Sequence, residues 1–218
     1  IRARSALNRL LREHPCAGWI SAFQRERLAS EACSGNGFAL LKPGGQLECE
    51  PESRRHMLED TIIAIATPPG YGGLGIVRIS GKKALAVARR IFEPKGRARP
   101  DYLERRPVFG TVRDPEGGNA LDEAFLTYFK APRSYTREDV VEISAHGSPA
   151  VLEAIMEIGA QAGARPARPG EFTLRACLNG RLDILQAQAV DDLVRSVSLA
   201  QARSSSRQLG GSLSRRIF

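Results

Sequence analysis

Two β-branched apolar runs joined by a Pro- and Gly-rich turn constrain this chain more than any other feature. TIIAIAT (61 to 67) stops at Pro68-Pro69-Gly70, and LGIVRIS (74 to 80) follows, with Ile76, Arg78 and Ser80 alternating against Val77 and Ile79. Such residues fit a pleated, half-buried surface, so both runs are expected to be strands with a glycine-rich turn between them. A helix is expected next, capped by Ser80, with Leu85, Ala88 and Phe92 at helical spacing and Pro94 as its stop. PVFGTVR (107 to 113) and LDEAFLTYFK (121 to 130) flank the turn-rich DPEGGNA as a hairpin with a long loop would. DVVEISA (139 to 145) reads as a further strand, and Ser148-Pro149 places a cap and an N1 proline before a helix that Gly163 ends. The order is βαββαβ-like, which implies an α+β class: a mixed sheet with helices packed on one side.

The flanking segments read differently. Residues 1 to 56 hold short helical patches and a Gly-, Pro- and Glu-rich stretch without sustained periodicity. They are read as a disordered or misassigned N-terminal extension, and the first residue, Ile1, is not a normal translation start. After them, 57 to 180 reads as one α+β domain. From Asp183, a capping-box-like start with Gln186 leads into Leu185, Val190, Leu193, Val194 and Val197. One apolar stripe through a long helix reaching about Leu209 is expected, and 181 to 218 reads as the first helix of a truncated helical domain.

Composition excludes more than it selects. At 42% hydrophobic and 26% charged residues the 218-residue chain suits a soluble fold, and no apolar run approaches the roughly 20 residues of a bilayer crossing. No membrane association is expected. The formal net charge of +8 makes an anionic partner plausible without choosing among nucleic acid, phosphate esters and polycarboxylates. Cys16, Cys33, Cys49 and Cys177 form no CxxC pair and no ligand spacing with His14, His56 and His146, so neither zinc nor a disulfide framework is expected. With no secretory signal visible, a reducing cytoplasmic compartment is the expectation.

Among the motifs, Gly70, Gly72 and Gly75 satisfy GxGxxG, but the strand-forming IVRIS follows where a dinucleotide site needs a helix N-terminus. A triphosphate-binding loop, GxxxxGK followed by Ser or Thr, occurs nowhere, so GTP hydrolysis by this chain is not expected. Two clusters are denser in polar groups than scaffold requires. In SYTREDVVEISAHGS (134 to 148), Glu142 shares a strand face with Val140 and Ser144; it suits a solvent face or a ligand to a cation or a pair of N–H donors equally well. His146 is a base or a strand-ending turn residue, and without a placed carboxylate the structural role is favoured. In the second cluster, Arg168, Glu171, Arg175, Asn179, Arg181 and Asp183 form either an ion-pair network or an anion site, and spacing favours the network.

DTIIAIATPPGYGGLGIVRISG, SYTREDVVEISAHGSPAVLEAI and ARPGEFTLRACLNGRLDILQAQAVDDLV, in this order, closely resemble the N-terminal domain of the tRNA-modification GTPases of the MnmE (TrmE) family. The likeness spans about Asp60 to Arg216 and is most specific in PGEFTxRAxLNGxLD followed by QAxAVxDL. It implies a folate-binding domain that forms a homodimer and acts with the flavoprotein MnmG on the wobble uridine (U34) of tRNA in carboxymethylaminomethyl modification. The cofactor it implies is a tetrahydrofolate derivative, 5-formyl- or methylene-tetrahydrofolate; GTP, magnesium and potassium would enter only through a GTPase domain absent here. The implied cofactor-binding residues are Arg78, Glu142 and Arg181, with no catalytic residue and no metal. A carboxylate such as Glu142 can accept the adjacent N–H donors of a pteridine, and Arg78 or Arg181 can clamp the carboxylates of the glutamate tail.

Two positions depart from the family's habit: Arg181 stands where Lys is common, and Tyr71 where Arg or a similar residue is common. The family's C-terminal cysteine motif is expected beyond Phe218, and Cys177 is not its counterpart. An aminomethyltransferase-like folate-dependent protein is the alternative, disfavoured by GEFTLRACLNGRLD feeding a long helix. A basic RNA-binding domain would need an aromatic platform, and aromatic residues make up only 6% of the chain.

Overall fold

The computed structural model describes residues 59 to 96 and 104 to 217, together with the backbone of Leu40–Leu41 (β1) and Leu47–Glu48 (β2), which pair antiparallel. The reading of 1 to 56 as an extension otherwise lies outside the described residues. Contacts divide the chain into two units, Leu58–Leu182 and a second that includes Asp183–Phe218.

The first unit is built on a seven-stranded sheet ordered β5-β6-β7-β8-β4-β3-β9. Its strands are β3 (Ile62–Ile65), β4 (Gly72–Ser80), β5 (Phe92–Pro94), β6 (Val108–Arg113), β7 (Ala120–Phe129), β8 (Val140–Gly147) and β9 (Arg165–Pro166). All neighbours run antiparallel except β3 and β9, which makes the sheet mixed. Helices α1 (Ala84–Ile91), α2 (Pro149–Gln161) and α3 (Glu171–Leu178) complete the unit. Running β3-β4-α1-β5-β6-β7-β8-α2-β9-α3, it corrects the expected βαββαβ-like order, because the short strands β5 and β9 carry too few residues to show a period.

One face of the sheet carries the core. Ile63, Val77, Ile79, Leu126, Val141 and Ile143 are fully buried against Val87 and Ile91 of α1 and Leu152 and Ile155 of α2. Each such side chain contributes about 1.5–3 kcal/mol of transfer free energy. Gly75 belongs to this contact: a Cβ there would lie 2.6 Å from Leu152 Cδ1, so its glycine lets α2 close on β4. Arg78, Ser80 and Glu142 occupy alternate positions and so project from the opposite face, which α3 approaches at one end. Ser80 does not cap α1, as expected from sequence; it is the last residue of β4, and Lys83 stands at the cap without a side-chain bond. Pro149 does open α2, and Gly163, at φ 108°, follows it as expected.

The second unit corrects the single long helix. Two helices, α4 (Ile184–Val194) and α5 (Leu199–Leu209), are followed by the short α6 (Ser214–Ile217). The capping box is present, with Asp183 Oδ1 accepting from Gln186 N at 2.8 Å and Gln186 Oε1 from Asp183 N at 3.0 Å. Serines cause the break: Ser196 Oγ donates to Leu193 O at 2.8 Å and Ser198 accepts from Gln201 N at 3.2 Å, restarting the helix. Gln186 Nε2 then donates to Leu209 O at 2.9 Å, so α5 folds back along α4. Val197, 92% exposed, is therefore not part of a continuous buried stripe. Among the described residues no helix is long and apolar enough to cross a membrane.

Candidate functional site

Antiparallel pairing sets Arg78 of β4 directly opposite Glu142 of β8. On an otherwise apolar strand a carboxylate needs a donor, and Arg78 supplies it: Nε donates to Oε1 at 2.9 Å, and Nη2 lies 2.7 Å from the same oxygen as an ion pair. Oε2 is not engaged by this arginine. Both side chains are half-buried. The guanidinium of Arg78 also lies 5.4 Å from the ring centroid of Tyr135 and 5.8 Å from that of Phe172.

Arg181 reaches the same tyrosine from the turn after α3. Its guanidinium stands 4.6 Å from the Tyr135 centroid, on an exposed residue that follows Gly180 at φ 68°. Arg78, Glu142 and Arg181, nominated from sequence as one site, are thus brought together through Tyr135. The ring is held in turn by its hydroxyl, 3.0 Å from Thr173 Oγ1 on α3. Asn179 Nδ2 donates to Thr136 O at 2.7 Å, and Arg137 Nη1 donates to Asn179 O at 3.0 Å, lacing the 134–139 loop to the turn that carries Arg181.

Beneath the loop lies an ion-pair network, the reading that spacing favoured for the second cluster. Arg175 is fully buried; its guanidinium donates to Asp60 O (2.9 Å) and Asp60 Oδ1, to Glu171 Oε1 (3.1 Å) and to Glu138 Oε1 (3.3 Å). Arg165 joins Asp60 Oδ2 and Glu171 Oε1, each at 2.6 Å, and Ser80 Oγ donates to Glu138 Oε2 at 2.7 Å. Burial works to raise all three carboxylates. For Asp60 and Glu171 the Arg165 and Arg175 hydrogen bonds, joined at Glu171 by the Arg168 N–H, outweigh it and hold the groups below their ordinary values. For Glu138 burial wins over Arg175 and Ser80, and its carboxyl is raised. The network fixes the loop, not a ligand: Glu138 and Thr136 are anchored, and Tyr135 between β7 and β8 is presented to the two arginines.

Other sequence candidates fall elsewhere. His146 has the carboxylate partner that sequence left unplaced: Nδ1 is 2.7 Å from Asp122 Oδ1, and Asp122 Oδ2 accepts from its backbone N–H. Tyr71 is almost wholly exposed, and Cys177 is buried. Sequence reasoning missed Tyr135 and Phe172, although Tyr135 lies only seven residues before Glu142 in the quoted motif SYTREDVVE. It also missed Asp60, Glu138 and Arg165, whose roles depend on pairs far apart in the chain.

The family-model match falls on the unit that carries this cluster. The model of a family described as "GTP-binding protein TrmE N-terminus" matches residues 61–181. The chain is 51% identical over 161 residues to the tRNA modification GTPase MnmE of Koribacter versatilis, covering 73% of this chain and 35% of the relative. The same named protein of Thermus thermophilus is 51% identical over 161 residues, covering 73% and 37%, and that of Geobacter metallireducens is 48% identical over 160 residues, covering 73% and 35%. The chain therefore spans about a third of the length of these curated relatives. With more than half of its residues inside the family match, the chain belongs to the TrmE N-terminus family.

Proposed function

We propose that this chain is the tetrahydrofolate-binding, dimerising portion of a tRNA modification GTPase acting on the wobble uridine in carboxymethylaminomethyl modification. The observation that carries the reading is the convergence of Glu142, Arg78 and Arg181 on Tyr135 within the family match. The donor set fits the cofactor. Glu142 Oε2, not engaged by Arg78, suits adjacent pteridine N–H donors, and the flanking rings of Tyr135 and Phe172 suit a flat heterocycle. Because Arg78 is committed to Glu142, Arg181 is the arginine assigned to the glutamate tail. Arg keeps the charge of the usual Lys and adds a planar fork that meets a carboxylate bidentately.

The relatives' printed name supports GTPase chemistry for the whole protein, and GTP, magnesium and potassium are the ligands proposed for that chemistry, outside the cluster described above. The flavoprotein MnmG and tRNA are the proposed partners, and the cytoplasm the proposed compartment. Titration of the 218-residue chain with 5-formyltetrahydrofolate tests the site: binding lost on Glu142→Ala is expected, and equal calorimetric affinity in the variant overturns it. A purely monomeric sedimentation profile across micromolar concentrations overturns dimerisation, and measurable GTP turnover by this chain overturns its assigned extent.

One observation favours RNA contact by the first unit itself. Phe109 and Phe125, both exposed, stand 5.2 Å apart with Lys95 Nζ 5.1 Å from the Phe109 centroid, an arrangement able to stack bases. Lys95 is already paired with Glu123, which weakens its call on phosphate, so the folate reading stands first.

A further inference from the structure

We propose that the end of the first unit's sheet at residues 104–107 and 130–139 is the surface on which this chain takes the phosphate backbone of tRNA; this rests on tRNA being a partner, as proposed above. Strand directions sort the charge between the two ends of the sheet. The β3–β4 and β6–β7 connections lie at one end. The first, 66–71, carries no charge, and the second, 114–119, carries Asp114 and Glu116 without a cation. The β7–β8 connection lies at the other end, where β6 begins, and there Arg105, Arg106, Lys130, Arg133 and Arg137 are all exposed. The acids beside them are engaged elsewhere: Glu138 by Arg175 and Ser80, and Asp139 Oδ1 by the Ala131 N–H at 2.9 Å. Among the described residues only Glu104 meets these cations, lying 3.0 Å from Arg133 Nη2 and 4.0 Å from Arg105 Nε. A net positive edge results.

Backbone strain keeps two of the cations in place. Among the described residues, the non-glycine residues at positive φ are Arg105 (61°) and Arg137 (59°), in a region that glycine fills with least cost. Each is pinned to a neighbouring loop: Arg105 Nη2 donates to Arg133 O at 2.7 Å, and Arg137 Nη1 donates to Asn179 O at 3.0 Å. The side chains of Arg106 and Lys130 make no hydrogen bond or ion pair among the described residues. An edge that holds arginines against backbone preference and leaves its other cations unengaged is set for an anion outside the fold.

The chemistry favours RNA over a lipid surface. All of these cations but Lys130 are arginines, whose planar fork meets a phosphate bidentately. A lipid surface is met by apolar side chains beside the basic ones, and none of the exposed large hydrophobic residues lies on this edge. The strand that Arg106 leads into, β6, carries the exposed Phe109 with Phe125 5.2 Å away, a surface able to stack a base next to a backbone held at the rim. Arg181 is left to the folate tail.

The test follows tRNA binding to the whole chain by fluorescence anisotropy as salt rises from about 50 to about 200 mM. Arg106→Gln with Lys130→Gln removes two cations that no bond in the fold uses. Arg113→Gln with Arg195→Gln removes two that are already paired, with Glu93 and Asp191. The first pair is expected to weaken binding on the order of ten-fold and to flatten the slope of log affinity against log salt by about two, with the urea midpoint unchanged, and the second pair to weaken binding by less than about two-fold. Equal effects of the two double variants, or an unchanged salt slope in the first, overturn the rim and leave tRNA as a partner. No tRNA binding by the unaltered chain overturns both. Loss of binding to phosphatidylserine vesicles in the first variant, with tRNA affinity intact, assigns the rim to lipid and also refutes the proposal.

Discussion

Arg78 and Glu142 face each other across β4 and β8, and the arginine gives both of its contacts, at 2.9 and 2.7 Å, to a single carboxylate oxygen. Partial exposure screens the pair, so its worth to stability is small even though its geometry is good. A double-mutant cycle of Arg78→Met and Glu142→Gln, read by urea denaturation, is expected to return a coupling of about 0.5–1 kcal/mol that shrinks in high salt. Coupling well above this, insensitive to salt, would make the pair a structural element first and a ligand-binding one second.

Arg175 behaves in the opposite way because no water reaches it. Removing its charge leaves Glu138 and Glu171 desolvated and without their shared cation, and such a loss costs about 3–5 kcal/mol. Arg175→Ala is expected to lose that much by denaturant midpoint, a large part of the roughly 5–15 kcal/mol that holds an ordinary domain. A loss under about 1 kcal/mol would show that water replaces the guanidinium.

The same network sets an acid profile with two limbs. Asp60 and Glu171 are depressed in the fold, so their contribution is complete above their ordinary values of 3.8 and 4.5 and is lost as pH falls through the lower folded values. Glu138 is raised by burial, so its contribution is complete below the ordinary 4.5 and is lost as pH rises through the higher folded value. From these groups, stability is expected to rise as pH falls from neutral towards 4.5 and then to decline. Comparing the profile of the unaltered chain with Glu138→Gln isolates the rising limb, which the variant should lack.

What could be read from the residues divides by range. Strong periods survive: IVRIS, VVEIS and the proline-led α2 stand where their patterns place them, and the capping box at Asp183 forms as its residues dictate. Local competition defeats the rest, since nothing in an apolar stripe reports that Ser196 and Ser198 will bond the backbone and split the helix. The glycines that match GxGxxG were legible as a turn and strand start, but that Gly75 makes room for Leu152 depends on a helix some 75 residues away. The nearness of Arg78 to Glu142 follows once the strands pair. That of Arg181 does not, because it needs the 134–139 loop, α3 and the Asn179 turn in place together.

Arg137 stands at φ 59° in the loop between β7 and β8, and this sets the last expectation. An L residue in the left-handed region costs roughly 1–2 kcal/mol relative to its relaxed conformations, and glycine escapes most of that. Against this, Arg137→Gly gives up the bond to Asn179 O, which at an exposed site is worth no more than about 0.5–1 kcal/mol. The variant is therefore expected to be more stable than the unaltered chain by up to about 1 kcal/mol. Thermal and urea unfolding of the variant decide this, and a destabilised Arg137→Gly would mean that the Asn179 bond outweighs the backbone strain and holds the loop.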